Sequence, residues 1–255
     1  MRIALGIEYD GTSYNGWQRQ RTGLGVQQRL EEALAVVANE EVDVICAGRT
    51  DTGVHASGQV IHFDTRSERS NRGWLLGANT NLPSDVCVTW ARPVDEEFHA
   101  RFSATARRYR YVILNRLRRS ALHRDRAWWV YEPLDAACMH EAAQRLVGKH
   151  DFSAFRAAGC QAKSAVREIS HIAVSRSGEW LTLEVTANAF LQHMVRNITG
   201  TLVAIGQGEQ DIDWVTAVLE SRDRKAGGIA APPHGLTLVG VDYPESFGLP
   251  VAGCC

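Results

Sequence analysis

Arg49, Asp51 and His55 stand close together in A-G-R-T-D-T-G-V-H, spaced by Gly48, Gly53 and Gly58. An ionised Asp held in place can attack an electron-poor carbon or take up a proton. Glycine permits positive φ and close backbone approach, so a tight glycine-rich link can fix one acid rigidly. Arg49 and Asp51 are two residues apart, which in an extended stretch places them on the same side. An isolated Asp-Thr-Gly is also a common turn former. The Arg and His beside apolar strands shift the reading toward a site.

Two strands must hold this loop. Val42 to Cys46 leads in, and Gln59 to Phe63 leads out, with Val60 and His62 on one face and Ile61 and Phe63 on the other. Ahead of them Ile3 to Tyr9 alternates as a strand. Asp10-Gly11-Thr12-Ser13 is a turn, and Gly16 to Gln20 is a polar loop anchored by Trp17. Val26 to Ala38 reads as a helix, with Leu30, Leu34 and Val37 on one stripe and Glu31 and Glu32 opposite. A short helix from Trp74 to Ala78, a break at Asn81-Leu82-Pro83 and a strand from Val86 to Trp90 complete a β-α-β-β-α-β order.

The second half repeats that order. Arg107 to Leu114 is a strand, and Asp135 caps a helix running through Val147 with Cys138, Ala142 and Leu146 inward. Val166 to Val174 and Trp180 to Thr186 pair around Arg176-Ser177-Gly178. A long apolar helix from Phe190 to Gly206, a shorter one from Trp214 to Leu219 and a strand from Gly235 to Val241 follow. The expected fold is α+β: two duplicated ferredoxin-like (βαββαβ) units forming an extended antiparallel sheet with a central cleft. The expected domains are 1–104, carrying the Asp51 loop, and 105–255.

The chain has 255 residues, 45% of them hydrophobic and 22% charged, which suits one large or two small soluble domains. No apolar run approaches the ~18 residues of a membrane helix, and Met1 leads straight into a strand pattern, so neither a membrane span nor a signal peptide is expected. The six cysteines show no zinc spacing, and free thiols in a cytoplasmic protein are the expectation. The vicinal Cys254-Cys255 pair reads as a tail. The net charge is -1, yet residues 101–126 hold nine Arg against Asp125 alone, a local balance of 9 - 1 = +8. Arg with interleaved aromatics suits phosphate contact and base stacking; a solvated charged face is the alternative.

Within the helix from Phe190, Gln192, Arg196 and Thr199 share a face by spacing. An Arg on a mostly apolar helix needs a carboxylate or phosphate. Asp51 is the acid to pair with it; a structural Arg reaching a carbonyl is the alternative.

The chain resembles the tRNA pseudouridine synthase A family. The resemblance is carried by I-E-Y-D-G-T-x-Y-x-G-W-Q-R-Q, A-G-R-T-D-T-G-V-H, F-H-A-R-F-S-A-T-A-R-R-Y-R-Y, F-S-A-F-R, H-M-V-R-N-I-T-G and H-G-L-T-L-V-G-V-D-Y-P, in order from Ile7 to Pro244. It implies isomerisation of uridine to pseudouridine at positions 38, 39 and 40 of the tRNA anticodon stem-loop, by a cytoplasmic homodimer using no cofactor or metal. It implies that Asp51 is the catalytic acid, that Arg49 assists base flipping, that Tyr109 stacks on the target base and that Arg196 pairs with Asp51. Leu236, or else Leu238, lines the pocket. Phe98, His99, Ala100, Arg101 and Phe102, with Arg69 and the stretch Gly159, Cys160, Gln161, Ala162 and Lys163, correspond to tRNA-contacting positions. The terminal P-V-A-G-C-C matches nothing in the family.

The chemistry fits the residues. Breaking N1–C1′ resembles glycoside cleavage, where a carboxylate stabilises or captures C1′. A general base then removes the C5 proton, and Tyr109 is the candidate. A base within a stem is reached only after it leaves the stack. Two rival classes are a non-catalytic RNA-binding module, indifferent to Asp51, and a carboxylate hydrolase, which needs a second acid. Glu8 and Glu184 have no assigned place in such a site.

Overall fold

The computed structural model describes residues 1–250; the Cys254-Cys255 tail lies outside them. The chain divides into two compact units. One comprises Met1–Arg107 and the chain from Leu238 onward, and the other Arg108–Thr237.

In the first unit, β1 (Arg2–Tyr9) lies between β3 (His55–Asp64) and β4 (Val86–Val94), antiparallel to both. Ile3 faces Phe63 across one ladder and Pro93 across the other. β2 is only Ile45–Cys46, paired with His62 and Ile61. On its other side β3 is flanked by β10 (Leu236–Asp242). Helices α1 (Val26–Ala38) and α2 (Asn71–Asn81) pack on each other, and α2 packs on β4. α1 has the span its apolar stripe predicts, and it stops where Asn39 turns left-handed at φ 56. The core is built on fully buried Trp17, Phe63 and Trp74, the last two edge to face at 5.2 Å. α2 is longer than expected because Ser70 caps it, accepting the Gly73 N–H at 3.0 Å. Asn79 closes the open side of β4: its amide donates to Val88 O at 2.9 Å and accepts from Val88 N at 2.7 Å.

Glu31 does not lie on the exposed face of α1. It is buried, with Oε1 accepting from Gln27 at 2.8 Å and from Val44 N at 3.2 Å, and Oε2 paired with Arg19. The hydrogen bonds to Oε1 and the Arg19 charge beside Oε2 offset the cost of burying this acid. It ties the stretch leading into the Asp51 loop to α1.

In the second unit the strand neighbours run β5 (Ala106–Asn115), β9 (Trp180–Ala187), β8 (Val166–Ser177) and β7 (Gly148–Asp151). A three-residue β6 (Trp128–Val130) runs parallel to β5. The β8–β9 hairpin turns at Gly178, as the Arg176-Ser177-Gly178 signal predicts. α3 (Ala136–Gln144) starts under Asp135, whose carboxylate accepts from Ala137 N and Cys138 N at 2.8 and 3.0 Å. Its inward residues are Met139 and Ala142, with Leu146 just beyond, rather than Cys138.

α4 (Met194–Gly206) corrects the expected long helix. His193 sits left-handed at φ 62 and interrupts it, so Phe190 to His193 form no part of it. Gln192 therefore shares no helix face with Arg196 and Thr199. A shorter α5 (Trp214–Ser221) follows. Among the described residues no helix is long and apolar enough to cross a membrane.

Candidate active site

The Asp51 loop spans the gap between β2, ending at Cys46, and β3, beginning at His55. It is no strand, yet burial still alternates through it. Thr50 is buried, with its hydroxyl 2.8 Å from Tyr9 OH, while Arg49 is exposed and Asp51 half-buried on either side. Gln59, fully buried on β3, grips the start of the loop. Its Nε2 donates to Gly48 O at 2.6 Å and its Oε1 accepts from Gly48 N at 3.3 Å. Past Asp51 the chain turns back on itself, and Val54 N donates to Asp51 O at 3.1 Å.

The other wall of the loop is the N-terminal motif. Trp17 N donates to Thr50 O at 3.0 Å, and Gly53 N to Tyr14 O at 3.4 Å. Gly16 has φ +92, and a Cβ there would meet Thr50 O at 2.7 Å and Asp51 C at 3.1 Å. A Cβ on Gly11 would meet Val54 O at 2.0 Å. The motif's glycines are thus the price of backbone lying against backbone around the acid. Gly16→Ala should destabilise the protein by about 1–3 kcal/mol. Catalysis should fall beyond what the unfolded fraction explains, as thermal melts and kcat on the same preparation will show. A variant with wild-type kcat would mean that the contact does not place the acid.

His55 belongs to this framework rather than to an open site. It is buried, its Nδ1 accepts from Gly11 N at 3.0 Å, and Asp10 Oδ1 lies 3.1 Å from the same nitrogen. Beneath the loop, burial pushes the Cys46 thiol up to about 12 against the lowering pull of Arg49 and Arg101. It stays protonated at neutral pH and is no nucleophile.

The segment 98–102 divides by burial. Phe98 and Ala100 are fully buried, Phe98 against Tyr243 and Phe247, while Arg101 and Phe102 are exposed. The guanidinium of Arg101 lies 5.5 Å from the Phe102 ring centroid. Only the outer pair and half-buried His99 reach the surface. Arg69 is exposed and donates to Glu68 O.

Within the Arg stripe of residues 101–126, whose composition suits phosphate contact, Arg107 and Arg110 are already engaged. Arg107 donates to the carbonyls of Ala104, Ala47 and Arg101, so its guanidinium is committed to the fold. Arg110 is bonded to Glu184 at 2.7 Å and 2.9 Å. That pairing also gives Glu184 a place of its own, on β9, while Glu8 is exposed on β1. Arg101→Ala should flatten the slope of log affinity against log salt by about one unit, with an unchanged Tm. Arg107→Ala should do the reverse: three carbonyls lose a charged donor, costing about 1–3 kcal/mol, and the slope stays. An unchanged slope for Arg101→Ala would refute the phosphate contact.

In the second unit Tyr109 is nearly buried on β5, edge to face with Phe190 at 5.0 Å. Arg196 is half-buried on α4 and its Nε donates to Ala231 O at 2.7 Å, the carbonyl contact weighed as its alternative role. Leu236 and Leu238 are both buried. Gly159, Gln161 and Lys163 are exposed, with Cys160 and Ala162 half-buried. Burial raises the Cys160 thiol, but N–H groups of Ala162 and Gln192 and the Arg156 guanidinium outweigh it and lower it below the usual value. Among the described residues no group of three or more His, Cys, Asp or Glu is placed to hold a metal ion.

Comparison with known sequences identifies the class as an isomerase that converts uridine to pseudouridine in tRNA. The sequence model described as tRNA pseudouridine synthase matches residues 6–103 and 142–244, and the chain belongs to that family. A tRNA pseudouridine synthase A from Pseudoalteromonas atlantica is 60% identical over 250 residues, covering 98% of this chain and 95% of that protein. Its counterpart from Aeromonas hydrophila subsp. hydrophila is 56% identical, over 98% of this chain and 93% of that protein. The one from Nitrosococcus oceani is also 56% identical, over 98% and 96%.

Proposed function

We propose that the enzyme acts at positions 38, 39 and 40 of the tRNA anticodon stem-loop, with Asp51 as its catalytic acid. The observation that carries the reading is the construction around Asp51: a half-buried carboxylate on a loop gripped by Gln59 and walled by the backbone of Trp17 and Tyr14. Such rigidity suits a group that must meet one sugar carbon.

In the proposed reaction the N1–C1′ bond breaks, with Asp51 stabilising or capturing the electron-poor centre. The uracil turns, C5 bonds to C1′, and the C5 proton leaves to a base while N1 gains one. Atoms balance without an external reactant. Arg49 fills the space of the flipped base, and Tyr109 stacks on the uracil and takes the C5 proton. Arg196 and Leu236 are further substrate-binding residues. Arg101, Phe102, His99 and Arg69, with 159–163, are proposed to meet tRNA.

The same reading includes two domains, 1–104 and 105–255, built as duplicated ferredoxin-like units, and a cytoplasmic homodimer. The β-α-β-β-α-β order from β1 to β4 recurs in chain order as β5, α3, β8, β9, α4 and β10, with β6, β7 and α5 inserted and most of β10 lying in the first compact unit, and this order supports the duplication. Sedimentation velocity tests the dimer.

Tritium release from tRNA carrying C5-labelled uridine is the direct test, because only isomerisation loses that hydrogen. Carbodiimide-dependent stops in primer extension should then fall at 38, 39 and 40. Release with stops elsewhere would keep the chemistry and overturn the positions.

A further inference from the structure

His62 and His99 do something that the reaction itself does not require. Three consecutive backbone N–H groups, those of Ala100, Arg101 and Phe102, end on the nitrogens of these two rings. His62 Nδ1 accepts from Ala100 at 3.1 Å, and His99 Nδ1 accepts from Arg101 and Phe102 at 3.2 Å each. The two rings lie 4.8 Å apart. His99 also closes the turn through its backbone, donating from N to Ser103 Oγ at 3.0 Å and accepting at O from Ser103 N at 2.9 Å. Arg2 holds Phe98 O at 2.9 Å and Tyr243 OH holds Ala100 O at 2.6 Å. On the outer side of this turn stands Phe102, 76% exposed, its ring 4.3 Å from His99 and tilted by 31°.

A row of adjacent N–H groups ordinarily attracts an anion. Here imidazole nitrogens fill that place, so the amides are not offered to a phosphate. What remains for a ligand is the exposed Phe102 ring, in contact with the His99 imidazole and with the Arg101 guanidinium 5.5 Å from its centroid. We propose that His62 and His99 are positioning residues, neutral acceptors that preassemble the Phe102–Arg101 platform for an RNA base and its phosphate. The inference rests on the reading that 98–102 meets tRNA. It adds which groups hold that surface in its binding form, and in which protonation state.

Only a neutral ring can accept these N–H bonds. Burial is the first cause that lowers both imidazoles, helped by Arg2 and by His99 at His62, and by Arg2 and Arg101 at His99; Asp64 opposes it at His62, and a hydrogen bond with its own backbone opposes it at His99. His62 falls to about 4. Since the fold favours the neutral rings, their contribution is complete above about pH 6.5 and is lost as the pH drops through the lower folded values.

The test compares His99→Ala, His99→Asn, His62→Asn and Phe102→Ala by KM, kcat, tRNA affinity and amide exchange without RNA. An Asn Oδ1 can occupy the place of imidazole Nδ1 as a helix-cap acceptor does. His99→Ala should raise KM about five- to tenfold with kcat within about twofold, and should speed exchange at 101 and 102. His99→Asn should restore amide protection and recover most of KM, and its tRNA affinity should fall less than that of wild type as the pH is lowered below 6.5. His62→Asn should keep the Ala100 amide protected. If Phe102→Ala leaves affinity unchanged, the tRNA-contact reading fails and takes the proposal with it. If Phe102→Ala weakens binding but His99→Ala does not, the contact stands and the positioning role is overturned.

Discussion

Asp51→Asn should leave the enzyme folded and able to bind tRNA while lowering pseudouridine formation by on the order of 10⁴-fold or more, the scale on which loss of a reacting group is felt. The substitution is close to isosteric. The loop is also anchored by the Thr50 hydroxyl, the Gly48 peptide and the backbone bonds of Thr50 and Asp51, all of which the variant keeps. A melt beside the tritium assay separates any loss of stability from the loss of chemistry. Residual turnover above a few per cent in protein free of host enzyme would remove Asp51 from the chemistry. The RNA-binding module weighed from sequence alone predicts wild-type tRNA affinity too, so turnover, not binding, is the deciding measurement.

Arg49→Ala should lower kcat/KM on a paired target by about 10²- to 10³-fold, which corresponds to the few kcal/mol needed to unstack and unpair a base. Arg49 is exposed, two residues before the acid, so its removal should cost little stability. The deciding comparison uses tRNA with a mismatched, already loosened target pair. If Arg49 occupies the gap left by the flipped base, the loosened substrate recovers much of the loss. Equal loss on both substrates would sink the flipping role and leave Arg49 as an electrostatic contact.

What could be read in the sequence was what repeats locally. α1 follows from Leu30 and Leu34 at helical spacing. The β8–β9 turn follows from Gly178. The start of α4 is not legible because apolar composition runs on through Phe190 and Leu191, whereas the break is a backbone turn at His193 that no side-chain pattern reports. β6 and β7 hold three and four residues, too few to show a period. The loop that carries Asp51 is legible because it holds its own glycines and flanking strands. The wall around it was not, since Gly11 and Gly16 meet the loop across some forty residues of chain. Counting Arg between 101 and 126 likewise found charge without finding that Arg107 and Arg110 were already engaged.

The neighbour of β3 on one side is β10, near the end of the chain, and a Cβ on Gly58 of β3 would meet Val239 O at 2.4 Å. This has a consequence in time. On the ribosome, residues 1–107 emerge long before Leu238, and at about 5–20 residues per second the wait is roughly 7–26 s. Throughout it, one margin of the strand that leaves the Asp51 loop is covered only by the two residues of β2. The nascent N-terminal part is thus an open sheet awaiting its last strand, and truncation before residue 238 should yield material that aggregates rather than a smaller working enzyme.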